Sequence, residues 1–405
     1  MGKYISPFHL WCATTAIFLV AVIFPPSYYE KVIGEPNFMF ANVAMIAFYG
    51  FSSLIFFGGV GLSRYFRSGL AVRDLGRYRK SWLLPRVVAI AAIANIADAF
   101  FSGSSGHLLA DIILNQEGYK IKDGEVGVDG GLLNIACIGI YWFALGVSLF
   151  EKGRKDRLHW PLRVLFISIV LSSIMRLTRG ELIPFLIGIV FIYLRRRYDV
   201  KAIKLPKAMV VAAFAFSSIV AVFFLFSLAR GEADQYKLVS DLMAYTIASY
   251  NRLALLLSGG LGNYYAGSGV FVSGFISFNE SFNNFFGLSS YMGWPSYQEL
   301  WASEFREVGS AGLNPNIIWL TNLGYLYLDL GVWAFVIIFF QGLITGYFWR
   351  AWSDNEPISL IVYPWVAFCL LFWFGTNYLL DTKFVVFLAL GGALRLFLAN
   401  YRLGK

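Results

Sequence analysis

The sequence predicts an all-α, polytopic membrane bundle of about ten spanning helices, with one large loop subdomain on its outer face. Three observations carry that prediction. The 405-residue chain is 58% hydrophobic and 14% charged, where a soluble chain carries about 25% charge. Its mean hydropathy is +0.63. Its charges are gathered between apolar runs, each near the roughly 20 residues that a spanning helix needs. Such a composition excludes an ordinary soluble enzyme, a disordered protein and a disulfide-rich secreted scaffold.

The apolar runs, in order, are 8–24, 38–61, 83–105, 131–150, 161–176, 181–195, 207–228, 332–350, 358–376 and 383–399. Segment 314–331 fits a span, a re-entrant segment or an amphipathic surface helix. The runs divide the chain into N-terminal spans (1–160), central spans with an outer arginine hairpin (161–228), a large outer loop (229–331) and C-terminal spans (332–405). A loop of that length is too long for a mere connector. The first run follows a short polar start and lacks a small-residue cleavage site, so it reads as a retained span.

Lysine and arginine set the orientation, because they stay preferentially in cytoplasmic loops. With the N-terminus inside, most of the 33 basic residues fall in inner segments, among them Arg64 to Arg86, Lys152 to Arg163 and Arg195 to Lys207. Most acids then lie outside, and both termini are cytoplasmic. The net charge of +9 is thus a topology signal, and no nucleic-acid partner is expected. Trp82, Trp160, Trp349 and Trp352 fall near the inner boundaries, where amphipathic rings settle.

Several chemistries lack their residues. The three cysteines, Cys12, Cys137 and Cys369, are far apart, with no CxxC spacing, so neither a zinc site nor a disulfide framework is expected. There is no GxxxxGK[ST], no HExxH and no GxSxG, and no cofactor or metal is expected. No run of Asp, Glu or Lys occupies the middle of a span, as a proton relay would require.

What remains are basic residues on the outer side. Arg176 and Arg179 lie three apart at the hairpin between two runs, beside Glu181, so on a helix they share a face. Two guanidinium forks at the bilayer lip suit a polyanionic head group. Arg230 follows at the outer end of the seventh run, and Arg252 lies just after Tyr250 on an amphipathic stretch. An arginine at the lip can equally snorkel to lipid phosphate, and Arg179 can pair with Glu181. A second constellation, 279–331, mixes Glu280, Glu299, Glu304 and Glu307 with Asn283, Asn284, Tyr291, Trp294 and Trp301. Aromatic faces with carboxylates and amides suit sugar rings, and they also suit an interfacial aromatic belt. A third is the Asn-rich stretch that runs through Asn316, Tyr327 and Asp329 into the next run. It suits an outward cavity, or a helix cap with packing glycines.

On these residues the chain resembles the Wzy-type polysaccharide polymerases and, more distantly, the O-antigen ligase superfamily. The similarity covers roughly 165–350. It rests on Asn316, Thr321, Tyr327, Asp329, Gly331, Gly346 and Tyr347, on Arg176-x-x-Arg179-Gly180, and on Arg230-Gly231 with Tyr250 and Arg252. The ligases place a histidine before the asparagine of the C-terminal block, where this chain has Leu313-Asn314, which favours a polymerase.

The resemblance implies a membrane glycosyltransferase in the bacterial cytoplasmic membrane that acts on its outer face. It would join lipid-linked oligosaccharide substrates carried on polyprenyl pyrophosphate, without metal, with a chain-length regulator protein as partner. Arg176, Arg179, Arg230 and Arg252 would stabilise the departing pyrophosphate. Glu181, Glu280 or Asp329 would act as base, and Tyr250, Trp294, Trp301, Asn316 and Tyr327 would hold sugar. A lipid-linked glycan ligase and a flippase of lipid-linked glycan are the alternatives.

Overall fold

A computed structural model describes residues 5–66, 83–101, 131–149, 158–175, 179–198, 235–261, 269–277, 287–295, 297–315, 317–354 and 356–403, with isolated positions between 217 and 224. Among the described residues the architecture is entirely helical, without a strand. The run 207–228 and the outer loop 106–130 fall outside the described residues, apart from those isolated positions.

Helix α1 (Pro7–Ile23) starts with proline at its first position, where a missing N–H costs nothing. Pro25 and Pro26 end it, and α2 (Pro26–Ile33) leaves at 101°. Helix α2 stops at Gly34, which takes φ 78° as a left-handed cap. Helix α3 (Val43–Leu62) is capped by the Asn42 side chain, which accepts the Met45 N–H at 2.9 Å. There follow α4 (Leu83–Phe101), α5 (Leu132–Leu149), α6 (His159–Met175) and α7 (Arg179–Tyr198). Next come α8 (Gln235–Thr246), α9 (Ala248–Leu257), single turns at 274–277 and 288–292, and α10 (Tyr297–Ser310). Helices α11 (Thr321–Leu330), α12 (Ala334–Ser353), α13 (Ser359–Leu371) and α14 (Thr382–Leu403) complete the chain.

Among the described residues, four helical stretches are long and apolar enough to cross a membrane by length and composition: 43–65, 83–101, 132–149 and 321–353, the last of which turns at Gly331. The bent pair α1–α2 would make a fifth. Helices α6 and α13 and the first part of α14 are apolar but shorter. Bulky apolar side chains point outward from the candidate spans, Leu54 at 72% and Ile93 at 68% exposure, as a lipid-facing surface requires.

Close helix packing uses glycine where a side chain would collide. Helices α3 and α12 cross so tightly that a Cβ on Gly59 would lie 2.1 Å from the Phe339 carbonyl, and one on Gly342 would lie 2.1 Å from that of Phe56. Gly346, four residues on, meets Ser63, completing the small-x-x-x-small pattern that lets backbones touch. Elsewhere Trp142 of α5 lies against Gly188 of α7 and donates its indole N–H to the Phe185 carbonyl at 3.2 Å.

Two departures from straight helices shape one end of the bundle. Asn322 and Gln341 are 19 residues apart in sequence, yet the Asn322 amide donates to Gln341 Oε1 at 3.1 Å. Helix α11 therefore folds back on α12, turning at Gly331 with φ 54°. It opens at Thr321, a β-branched residue at φ 69° whose Oγ1 accepts the Gly324 N–H, a strained conformation. The second departure is 372–381, which interrupts α13 and α14. Its Trp373 carbonyl accepts the Asn322 N–H at 3.0 Å, and Asn377 accepts from Gln341 Nε2 at 3.0 Å. Irregular backbone among apolar helices needs such partners.

The main core joins α1, α3, α5, α7, α12 and α13. A second, smaller core gathers Leu255, Phe271, Trp294, Leu300, Leu313 and Tyr325 from the stretch 255–328.

Candidate functional site

A chain of buried polar side chains threads the unit formed by α4 to α7. Glu181 sits in the first turn of α7, where the helix dipole favours a carboxylate. Its Oε2 accepts from Asn134 Nδ2 of α5 in a short hydrogen bond. The Asn134 Oδ1 accepts from Asn95 Nδ2 of α4 at 3.0 Å, and Asn95 Nδ2 also lies 3.4 Å from Ser168 Oγ of α6. Ser173 Oγ lies 3.5 Å from Asn134 Nδ2. All are buried. In apolar surroundings each is costly unless bonded, so the chain is an ordered network. Asp98 lies one turn along α4 from Asn95.

Glu181, itself buried, also lines a crevice too narrow in this structure to admit a water molecule. Gly180, Glu181 and Pro184 of α7 share it with Lys383 and Phe387 of α14, Ile135, Ile138 and Trp142 of α5, and Trp365 of α13. Lys383 pairs with Asp381 at 3.0 Å and is partly exposed. The Asp381 Oδ1 accepts the Lys383 N–H, capping α14. The crevice is thus lined by one residue from the start of each of two helices, Glu181 of α7 and Lys383 of α14, the first of them close in sequence to Arg176 and Arg179.

Arg252 belongs to a different network. It is fully buried in α9, and it forks onto Glu35 with two bonds of 2.9 Å. Its remaining N–H groups donate to the carbonyls of Ala248 (2.9 Å), Asn314 (3.1 Å) and Ile317. All five guanidinium donors are thereby used within the protein. Glu35 also accepts from Tyr29 O–H, Asn251 Nδ2 and the Asn314 N–H. This hub ties the turn after α2 to α9 and to the strip leading into α11. Breaking such a buried pair costs about 3–5 kcal/mol.

Asp329, near the end of α11, accepts the backbone N–H groups of Phe271 and Val272, both at 2.7 Å, and so anchors the turn at 269–273. Tyr250 is buried edge-on to Phe18, with ring centroids 5.4 Å apart. Tyr327 meets Phe48 at 5.3 Å, and Trp294 is buried in the smaller core. Arg176, Arg230, Glu280 and Asn316 lie outside the described residues. Arg179 opens α7 and Trp301 lies in α10, with their side chains undescribed.

Among the described residues, Glu181 is the sequence candidate that lines this crevice. Asn95, Asn134, Lys383 and Glu35 were not singled out from the sequence. Asn95 and Asn134 carried a usable signal, since each is an amide inside an apolar run. Glu35 carried none. On another face of α14 an apolar cavity of about 180 Å³ is lined by Ile344, Leu380, Phe384, Val385 and Leu388, with Gln341 as its polar wall. Among the described residues no three His, Cys, Asp or Glu side chains gather as a metal site.

Comparison with family models, with curated proteins and with solved structures finds no match to this chain.

Proposed function

We propose that the chain polymerises lipid-linked oligosaccharide repeat units by glycosyl transfer, with polyprenyl pyrophosphate as leaving group. The observation that carries the proposal is the narrow crevice that Glu181 and Lys383 both line, next in sequence to Arg176 and Arg179. The acceptor hydroxyl attacks the anomeric carbon of the growing chain. Its proton passes to Glu181 as general base. The C–O bond to the pyrophosphate breaks, and the departing anion is stabilised by Lys383, Arg176, Arg179 and Arg230. Arg252 is left out of this set because its donors are already used. The apolar cavity beside α14 would take part of the polyprenyl tail.

In this proposal the chain crosses the bacterial cytoplasmic membrane about ten times, with both termini in the cytoplasm and 229–331 outside. A chain-length regulator would bind it there. A flippase is the second reading. The fold-back of α11 onto α12 and the break at 372–381 favour it, because discontinuous helices are common where transporters hold their cargo.

The test is a transfer assay with purified protein in nanodiscs, lipid-linked repeat unit and chelator. A ladder of longer lipid-linked products is expected from the wild type. Lys383→Ala is expected to weaken it at least about tenfold. No ladder, together with passage of labelled lipid across proteoliposomes, would replace the polymerase with the flippase.

A further inference from the structure

We propose that Asn134, itself held by Asn95, is the positioning residue that aims the Glu181 carboxylate at the acceptor hydroxyl. This role rests on the polymerase chemistry proposed above.

The direction of the hydrogen bonds follows from the carboxylate. An ionised glutamate has no donor, so the group that Asn134 turns toward Oε2 must be its NH₂. That leaves Asn134 Oδ1 facing α4, where it needs a donor, and Asn95 Nδ2 supplies one at 3.0 Å. Asn95 in turn is placed by Ser168 of α6, whose own hydroxyl is tied to the Leu165 carbonyl at 2.9 Å. Each link fixes the orientation of the next, and the line runs through four helices.

Burial makes the line stiff. Asn95, Asn134 and Ser168 are wholly inaccessible, so water cannot substitute for a lost link. Glu181 is buried as well. Pinning Oε2 fixes the carboxylate plane, and with it the direction of Oε1. A general base needs that precision, because a misplacement of about 1 Å costs on the order of 100-fold in rate. By contrast, Asn322, Gln341 and Asn377 form an amide chain that ends on no titratable group, as a purely structural network would.

The experiment is a double-mutant cycle on the ladder assay, with Asn134→Leu, Glu181→Gln and the pair. Asn134→Leu should lower kcat about 10–100-fold and leave KM within about twofold, as expected for loss of aim rather than of binding. Asn134→Gln, which keeps the amide, should recover part of that loss. In the Glu181→Gln background, Asn134→Leu should cost nothing further, because it acts only through the carboxylate. Equal losses in both backgrounds, or a rise in KM with kcat unchanged, would overturn the positioning role while leaving the polymerase intact. If Asn134→Leu does not fold, Asn95→Leu tests the same line one link back, with the same non-additivity expected and the same additive result against it. A wild type that makes no ladder would remove the chemistry itself, and this role with it.

Discussion

Two buried carboxylates in this molecule are treated in opposite ways. Glu35 receives both arms of Arg252, a tyrosine hydroxyl, an asparagine amide and a backbone N–H. Glu181 accepts from a neutral amide, that of Asn134, and lines a crevice together with Lys383. A carboxylate saturated by a bidentate cation and three further donors has nothing left to offer a substrate. It serves as a rivet between segments far apart in sequence. A carboxylate that takes an amide donor beside a lysine-lined crevice is, in the proposed chemistry, the one that accepts the proton. The difference also explains why Arg252, attractive in sequence beside Tyr250, is a scaffold residue: its charge is spent on Glu35.

The largest effect that would sharpen this contrast is catalytic. Glu181→Gln should lower transfer about 10²–10⁴-fold, measured as ladder formation per folded molecule. Next is the rivet. Arg252→Met leaves Glu35 buried without its cation and should destabilise the protein by about 3–5 kcal/mol, measured by thermal unfolding in detergent. Gly342→Val tests whether helix packing sets stability independently of both carboxylates. Its new side chain meets the Phe56 backbone, so a loss of about 1–3 kcal/mol is expected, with the activity of the folded fraction retained.

The smallest effect concerns a third carboxylate, Glu304 of α10. Burial alone pushes its carboxyl up to about 8. The folded chain therefore holds a proton there that the unfolded chain releases above the ordinary glutamate range. Its contribution is neutral at low pH, and stability falls as pH rises toward 8. Glu304→Gln should match the wild type near pH 4 and exceed it by about 1 kcal/mol or more at pH 8. Parallel curves for the two proteins across that range would show that Glu304 is not buried as described.

Much of the helical layout was legible in the sequence, because an apolar run long enough to span is a one-dimensional signal. The runs 83–105, 131–150, 161–176 and 332–350 overlie α4, α5, α6 and α12 closely. The break at 372–381 was not legible. It is held by tertiary contacts, such as Trp365 Nε1 to the Tyr378 carbonyl at 3.2 Å and Thr14 Oγ1 to the Leu370 carbonyl at 2.7 Å, and not by a proline. The fold-back of α11 onto α12 was not legible either, because it depends on Asn322 finding Gln341. The same limit applies to the site. Glu181 stood out because it follows two arginines. Asn95 and Asn134 gain meaning only when four helices bring them into line, and Glu35 only when it meets Arg252 from 217 residues away.

The most direct measurement pairs the two carboxylates in one experiment. Glu181→Gln and Glu35→Gln are purified side by side, and each is assayed for thermal unfolding and for ladder formation per folded molecule. The account predicts that Glu181→Gln keeps its Tm within a few degrees and loses the ladder. Glu35→Gln should lose stability and keep the activity of what remains folded. A Glu181→Gln protein that still builds the ladder, or a Glu35→Gln protein that keeps its Tm and loses the ladder, would contradict it.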